Sequence, residues 1–444
     1  MKIKTRLRLL AVLTTVVAGA AAVGLDFYRT GTPQAIPLAP APVAALAATA
    51  AGVDTLAATI DADQTSLRTT PGDSALWASL GSAYVEEGRA TANPDYYPKA
   101  DGALQKSLAL KPQDNLDAMI GSGMLANSRH DFAKARDWAT RALDFASANA
   151  TAVGVLVDAD TQLGDYPAAS AEAQRMLDLR PGVAAFTRAS YEEEQHGRDG
   201  LARQALQRAL GDAASPADVA FCHHYLGELA FNSGVPSGAL DEYRLALRAD
   251  PTYTPALAGT AKAEAALGDT AAALRDYDTA TSRLPSPQYV LEYAELLESQ
   301  GSLPQAHAEY DLLGAEEKVL AANGVIDDLM SAQVAADHGD ALDAVRHARA
   351  EWSRRHSVLV ADALAWALHR AGRDAEAIPY AQQANAIGWH NATFEYHVGA
   401  IEAALGQPDR ARTDLTAALA TNPHFSLQQA PAARRILDGL GGAA

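Results

Sequence analysis

The chain has 444 residues, 48% hydrophobic and 20% charged, with 36 basic and 54 acidic side chains and a formal charge of −18. It is too apolar to be a disordered chain, and its acidity excludes general binding to phosphate backbones. The single cysteine, Cys222, excludes an intramolecular disulfide framework and any site built from several thiolates.

Residues 1–8 carry Lys2, Lys4, Arg6 and Arg8 and no acid, and residues 9–25 then run without a charge. A basic start before an apolar run is the signature of a secretory signal or signal anchor, so residues 1–25 are expected to send the rest of the chain outside the cytoplasmic membrane. As a helix this run would span roughly 25 Å, the short end for a bilayer core. Ala18, Ala20 and Ala22 offer small residues to a signal peptidase, and the sequence leaves cleavage and retention both open. The expected location is extracytoplasmic, either secreted or anchored to the cell membrane by residues 9–25. Residues 26–72 form a Pro/Ala-rich linker, with 53–71 as the remnant of an earlier repeat.

The rest of the chain is organised by one period. Gly164, Gly197, Gly234, Gly268, Gly301, Gly339, Gly372 and Gly406 lie 33, 37, 34, 33, 38, 33 and 34 residues apart. Each is followed five residues later by an alanine: Ala169, Ala202, Ala239, Ala273, Ala306, Ala344, Ala377 and Ala411. Each unit reads as two helices. The glycine ends the first in a left-handed conformation, and the alanine lets the second approach its neighbour closely. A proline often closes the unit, as at Pro112, Pro181, Pro251, Pro285 and Pro423.

These features resemble the tetratricopeptide repeat family, whose motif is W-x2-L-G-x2-Y, then alanine, an aromatic, alanine and proline. The first unit matches through Trp77, Leu80, Gly81, Tyr84, Ala100 and Pro112, and the fifth through Leu226, Gly227, Ala239, Tyr243, Ala246 and Pro251. The resemblance implies an all-α fold, a right-handed α-solenoid of about ten helix-turn-helix units over residues 73–425. Residues 426–444 then supply a capping helix and tail, with Ile436, Leu437 and Leu440 inward and Arg434 and Arg435 outward. Some units depart from the pattern. Val157 and Glu351 stand where small residues are usual, and residues 90–100 and 316–328 are insertions, either surface loops without a role or contact loops at a groove edge.

The family's geometry lines a concave groove with the first helix of each unit. It implies Tyr191, Glu194, His224, Glu228, Glu295, Glu298, Asp362, Trp366, His369 and Tyr396 as partner-binding candidates. Some relatives clamp a partner's terminal carboxylate with lysines and asparagines. Asn127 and Asn232 are present here, but the chain has only eight lysines. A basic or aromatic segment of a protein or peptide partner suits the acid-rich face better, with no nucleic acid, and with membrane contact only through the N-terminus. The 28 arginines against eight lysines point to a GC-rich bacterial genome.

No phosphate loop, dinucleotide fingerprint, nucleophile elbow or H-E-x-x-H motif occurs. Among Cys222, His223, His224 and Glu228, only His224 and Glu228 share a helix face, so neither a metal site nor a cofactor is expected. Neither Asp158 with Asp160 nor Glu192 to Glu194 amounts to a catalytic pair. The expected function is that of a non-enzymatic protein-interaction scaffold. The alternatives are an assembly factor for an envelope or secretion complex, or a subunit of a peptide- or glycan-processing enzyme.

Overall fold

The structure is a computed structural model and describes residues 50–441, so the signal or anchor expected over residues 1–25 lies outside the described residues. The described residues form 22 helices, and among them no helix is long and apolar enough to cross a membrane. Twenty of the helices pair into ten units. α1 (Ala50–Thr69) precedes the first pair, α2 (Ser74–Ala90) and α3 (Tyr96–Leu110). The next pairs are α4 (Leu116–Ser128) with α5 (Phe132–Phe145), α6 (Ala150–Leu163) with α7 (Tyr166–Leu179), and α8 (Val183–Gln195) with α9 (Asp199–Asp212). They are followed by α10 (Pro216–Asn232) with α11 (Pro236–Ala249), α12 (Thr254–Leu267) with α13 (Thr270–Arg283), and α14 (Pro287–Ser299) with α15 (Leu303–Ala322). The last three pairs are α16 (Asp328–His338) with α17 (Ala341–Trp352), α18 (Val358–Arg370) with α19 (Asp374–Ala384), and α20 (Ala392–Ala404) with α21 (Pro408–Thr421). The array ends in α22 (Gln429–Gly441), which lays Ile436, Leu437 and Leu440 against the core and leaves Arg434 and Arg435 exposed. The sequence-based expectation of an all-α repeat array is met.

The pairing follows from small residues at fixed places. The alanine five residues after each turn is fully buried in every unit from Ala169 to Ala411, as is Ala135 in the second unit. A larger side chain there would force the two helices of the pair apart. In the fifth unit a Cβ on Gly227 would lie 2.5 Å from the Tyr243 ring, so the glycine is what lets α11 seat its tyrosine on α10. Aspartates start several second helices. Asp165 and Asp269 each accept a hydrogen bond from the backbone N–H three residues on, satisfying one of the donors a helix start leaves free.

The turn glycine is left-handed in seven of the eight units expected to use it, Gly164 for example at φ +85°. Gly339 is the exception, at φ −134° and ψ −143°, and Asp340 caps α17 there without a left-handed residue. In the first two units Ala92 and His130 take positive φ in place of glycine.

The array also returns onto itself. Turn loops of the early units touch loops about 190 to 230 residues later, between five and seven units on. Asp95 accepts from the Asn323 amide at 3.1 Å, and the Ile326 N–H donates to the Arg129 carbonyl at 3.3 Å. The His356 N–H donates to Leu163 O at 3.2 Å, and the Val358 N–H to the Tyr166 hydroxyl at 2.9 Å. Beside them Arg355, 4% exposed, donates to both Gln162 and Glu351. Further along, the Trp389 ring meets the Tyr191 ring edge-on at 6.1 Å, and Asn422 donates to the Phe231 carbonyl at 2.8 Å. These contacts form one seam between the first and second courses of the solenoid.

Both insertions lie on that seam. The second lengthens α15 to 20 residues, and the loop after it carries Asn323, which reaches Asp95 in the first. The sequence allows them to be idle surface loops or contacts at the edge of a groove. The structure places them against each other.

Candidate functional site

The first helices of successive units present the same positions to the interior, so a residue recurs there every 33 or 34 positions. One row reads Glu194, Glu228, Lys262, Glu295, and another Tyr191, Tyr225, Gly259, Glu292. On α8, α10, α12 and α14 these rows, Glu295 excepted, form one wall of a cavity of about 370 Å³. The opposite wall comes from across the seam and is made by Trp389, residues 390–393, Asn422 and Phe425. The cavity therefore exists only because the second course covers the first.

Its electrostatics follow from burial and pairing. Arg188 grips Asp158 through two hydrogen bonds of 2.9 and 3.0 Å, both side chains being almost wholly buried. Burial pushes the Asp158 carboxyl up, against the pull of Arg188, to about 6. Burial acts on Glu228 in the same sense. There the Lys262 ammonium at 2.6 Å and the Tyr243 hydroxyl at 2.6 Å more than offset it and hold the group down at about 2. Burial lowers His224 to about 4, so its ring is neutral at pH 7. Burial also raises Glu194 to about 7, against the Asn232 amide at 3.0 Å and the weaker pull of Lys262, and it raises Glu292 as well.

The shift at Glu194 predicts a measurable stability change. An acid whose folded value is raised stabilises fully below its unfolded value near 4.5, and that stability is lost as pH rises through about 7. Glu194→Gln keeps the acceptor for Asn232 and removes the titration. The variant should match the parent at pH 5 and exceed it at pH 8. For a half-buried group that can still reach solvent, the gain is on the order of 1 kcal/mol. Thermal melts across this range check it, and parallel curves would reject the assignment.

The ten candidates from the sequence separate into three places. Tyr191, Glu194, His224 and Glu228 line the cavity. Glu295 and Glu298 surround His338 at 3.0 and 3.4 Å, and Glu298 also accepts from the Tyr310 hydroxyl at 2.8 Å. Asp362, Trp366 and Tyr396 are core residues, at 3%, 5% and 5% exposure, rather than an open groove surface. Asp362 bonds His397 at 2.9 Å, Trp366 donates to Asp337 at 2.8 Å, and half-buried His369 pairs with Asp374 at 2.5 Å. The two asparagines make internal bonds, Asn127 to the Val155 carbonyl and Asn232 to Glu194. Around Cys222 the side chains diverge. The thiol is buried and pushed up to about 12, and His223 bonds Glu242 at 2.7 Å. Among the described residues no three His, Cys, Asp or Glu side chains gather as metal ligands.

Lys262, Glu292 and Trp389 were missed. The first two were within reach of the sequence, since Lys262 lies 34 residues after Glu228 and Glu292 lies 33 after Gly259. Trp389 had no such signal, because it arrives from another course.

Residues 259–315, which span most of α12, all of α13 and α14 and part of α15, match the family model described as tetratricopeptide repeat. That stretch of the chain is similar to the tetratricopeptide repeat family. Among solved structures the chain is similar to the human IFIT1 dimer with m7Gppp-AAAA, at 13% identity over 78% of this chain and 81% of that one, with a TM-score of 0.45. It is similar also to the APC/C hetero-tetramer Cut9–Hcn1, at 16% identity, 88% and 82% coverage and a TM-score of 0.40. Yeast Tom70 aligns at 11% identity, 88% and 96% coverage and a TM-score of 0.37. No curated protein matches the sequence significantly.

Proposed function

We propose that this tetratricopeptide repeat chain is a non-catalytic scaffold that holds a basic segment of a protein partner on the outer side of the cytoplasmic membrane. The inner-face row of Glu194, Glu228, Lys262 and Glu295 carries this reading. It holds three carboxylates to one ammonium in a chain of net charge −18. An acidic face of that kind attracts a basic segment and selects against acidic ones. Export is supported by the basic and then apolar start of the sequence. The non-catalytic assignment is supported by the buried, fully protonated Cys222 thiol and by cavity carboxylates held in structural bonds.

A pull-down from the native envelope through a C-terminal tag tests this. One dominant protein should be captured at low salt and released as salt rises and screens the pairing. The Glu295→Gln/Glu298→Gln variant should lose most of the capture. Recovery of the chain from the cytosol, or capture indifferent to both salt and variant, would reject the reading.

A further inference from the structure

Two carboxyl groups of the cavity have no ion-pair partner of their own, and the Lys262 ammonium, already bonded to Glu228, acts on them only through space. Asp158 is matched by Arg188 and Glu228 by Lys262. Glu194 and Glu292 have only neutral donors: the Asn232 amide for the first, and the Gln288 amide at 3.0 Å and the Tyr277 hydroxyl at 3.1 Å for the second. Among the described residues no arginine, lysine or histidine forms an ion pair with either. They lie on α8 and α14, on either side of the Glu228–Lys262 pair in the row of units.

A second observation points to a missing occupant. His224 lines the cavity at 6% exposure, and its buried ring Nδ1 has no hydrogen-bond partner. The hydroxyl of Tyr191, another lining residue, is buried and without a partner too. A buried polar atom left unpaired costs free energy, so two of them in one cavity mark a place where a ligand supplies what the chain does not. The aromatic rings of Tyr225, Phe231 and Trp389 border the same space, and such faces attract organic cations.

We propose that this cavity binds a small organic polycation, an aliphatic diamine or polyamine or its guanidinium equivalent, with its charged groups on Glu194 and Glu292. Its carbon chain lies along Tyr225, Phe231 and Trp389, and its N–H groups reach His224 Nδ1 and the Tyr191 hydroxyl. The site deepens the scaffold reading in one respect, since the same cationic chemistry comes either from a free polyamine or from lysine and arginine side chains of the partner.

The probes are spermidine and a decapeptide of alternating lysine and alanine, titrated into the full chain by calorimetry and by tryptophan fluorescence. At least one should bind saturably at one site. Its affinity should fall at least tenfold in Glu194→Gln and in Glu292→Gln, and should be unchanged in Asp241→Asn, an exposed acid on α11. The fluorescence response should vanish in Trp389→Phe while calorimetric binding remains. Tighter binding of spermidine assigns the site to a free polyamine, and tighter binding of the peptide assigns it to a partner's side chains. Absence of saturable binding of both probes overturns the proposal. So does undiminished binding in a Glu194→Gln/Glu292→Gln variant of unchanged helicity. Partner capture is read separately by pull-down, so that failure leaves the scaffold reading to its own test.

Discussion

Replacing Gly197 with alanine is expected to destabilise the protein far more than replacing Gly268, although both end the first helix of a unit at positive φ, +67° and +89°. At Gly268 nothing lies within 4 Å of an added Cβ. The cost there is that of a left-handed alanine, about 1 kcal/mol. At Gly197 the Cβ would overlap the Gly388 carbonyl, a backbone atom of the facing course that cannot rotate away. The seam must part locally, exposing Trp389 and Tyr191 and removing the wall of the cavity. The expected loss is about 4 kcal/mol or more, the range of large core defects. Gly164 and Gly234 face His356 O at 2.6 Å and Thr421 O at 2.8 Å and should behave like Gly197. Urea melts of the Gly197→Ala and Gly268→Ala variants, with amide exchange read over residues 388–392, make the comparison. Equal shifts would show that the two courses do not touch.

The second large effect is expected at Glu351. This carboxylate is 1% exposed and receives Arg355, itself 4% exposed, which also reaches Gln162 on the other side of the seam. The guanidinium additionally lies 4.8 Å from the centre of the Phe132 ring. Glu351→Ala strands a buried cation and should cost about 3–5 kcal/mol. Glu351→Leu/Arg355→Met removes both charges at similar volume and should recover most of that loss. If the double variant were as unstable as the single, the penalty would come from packing rather than from the unpaired charge. If the single variant were neutral, the pair would not be holding the seam.

Much of the fold was legible because each unit is local. The glycine, the alanine five residues on and the closing proline all lie within one helix pair, and the buried alanines from Ala169 to Ala411 occupy the places the period gives them. The cavity was half legible. Glu194 and Glu228 were found from the resemblance. Lys262 and Glu292 follow from the same register, 34 residues after Glu228 and 33 after Gly259. Trp389 and Asn422 were out of reach, since the small rotation between neighbouring units accumulates over five or six of them before the courses meet, and no single unit encodes where. Trp366 and Tyr396 are core for a different reason: residues of the adjoining units, Asp337, His397 and Phe425 among them, pack against them. The clues to the seam were the departures from the repeat. Glu351 in place of a small residue, and the two insertions carrying Asp95 and Asn323, are irregular as repeat elements and regular as seam contacts.

An open solenoid can gain or lose a unit at little cost, since each unit answers only to its neighbours. Here the meeting of Gly197 with Gly388, and of Phe231 with Asn422, ties the number of units between them to the geometry of closure. Deleting one unit from that interval would bring every later loop to the wrong opposite number, as a tooth removed from a gear spoils the whole mesh. Length variation among descendants of this chain should therefore be confined to its ends, leaving the count within the seamed course fixed.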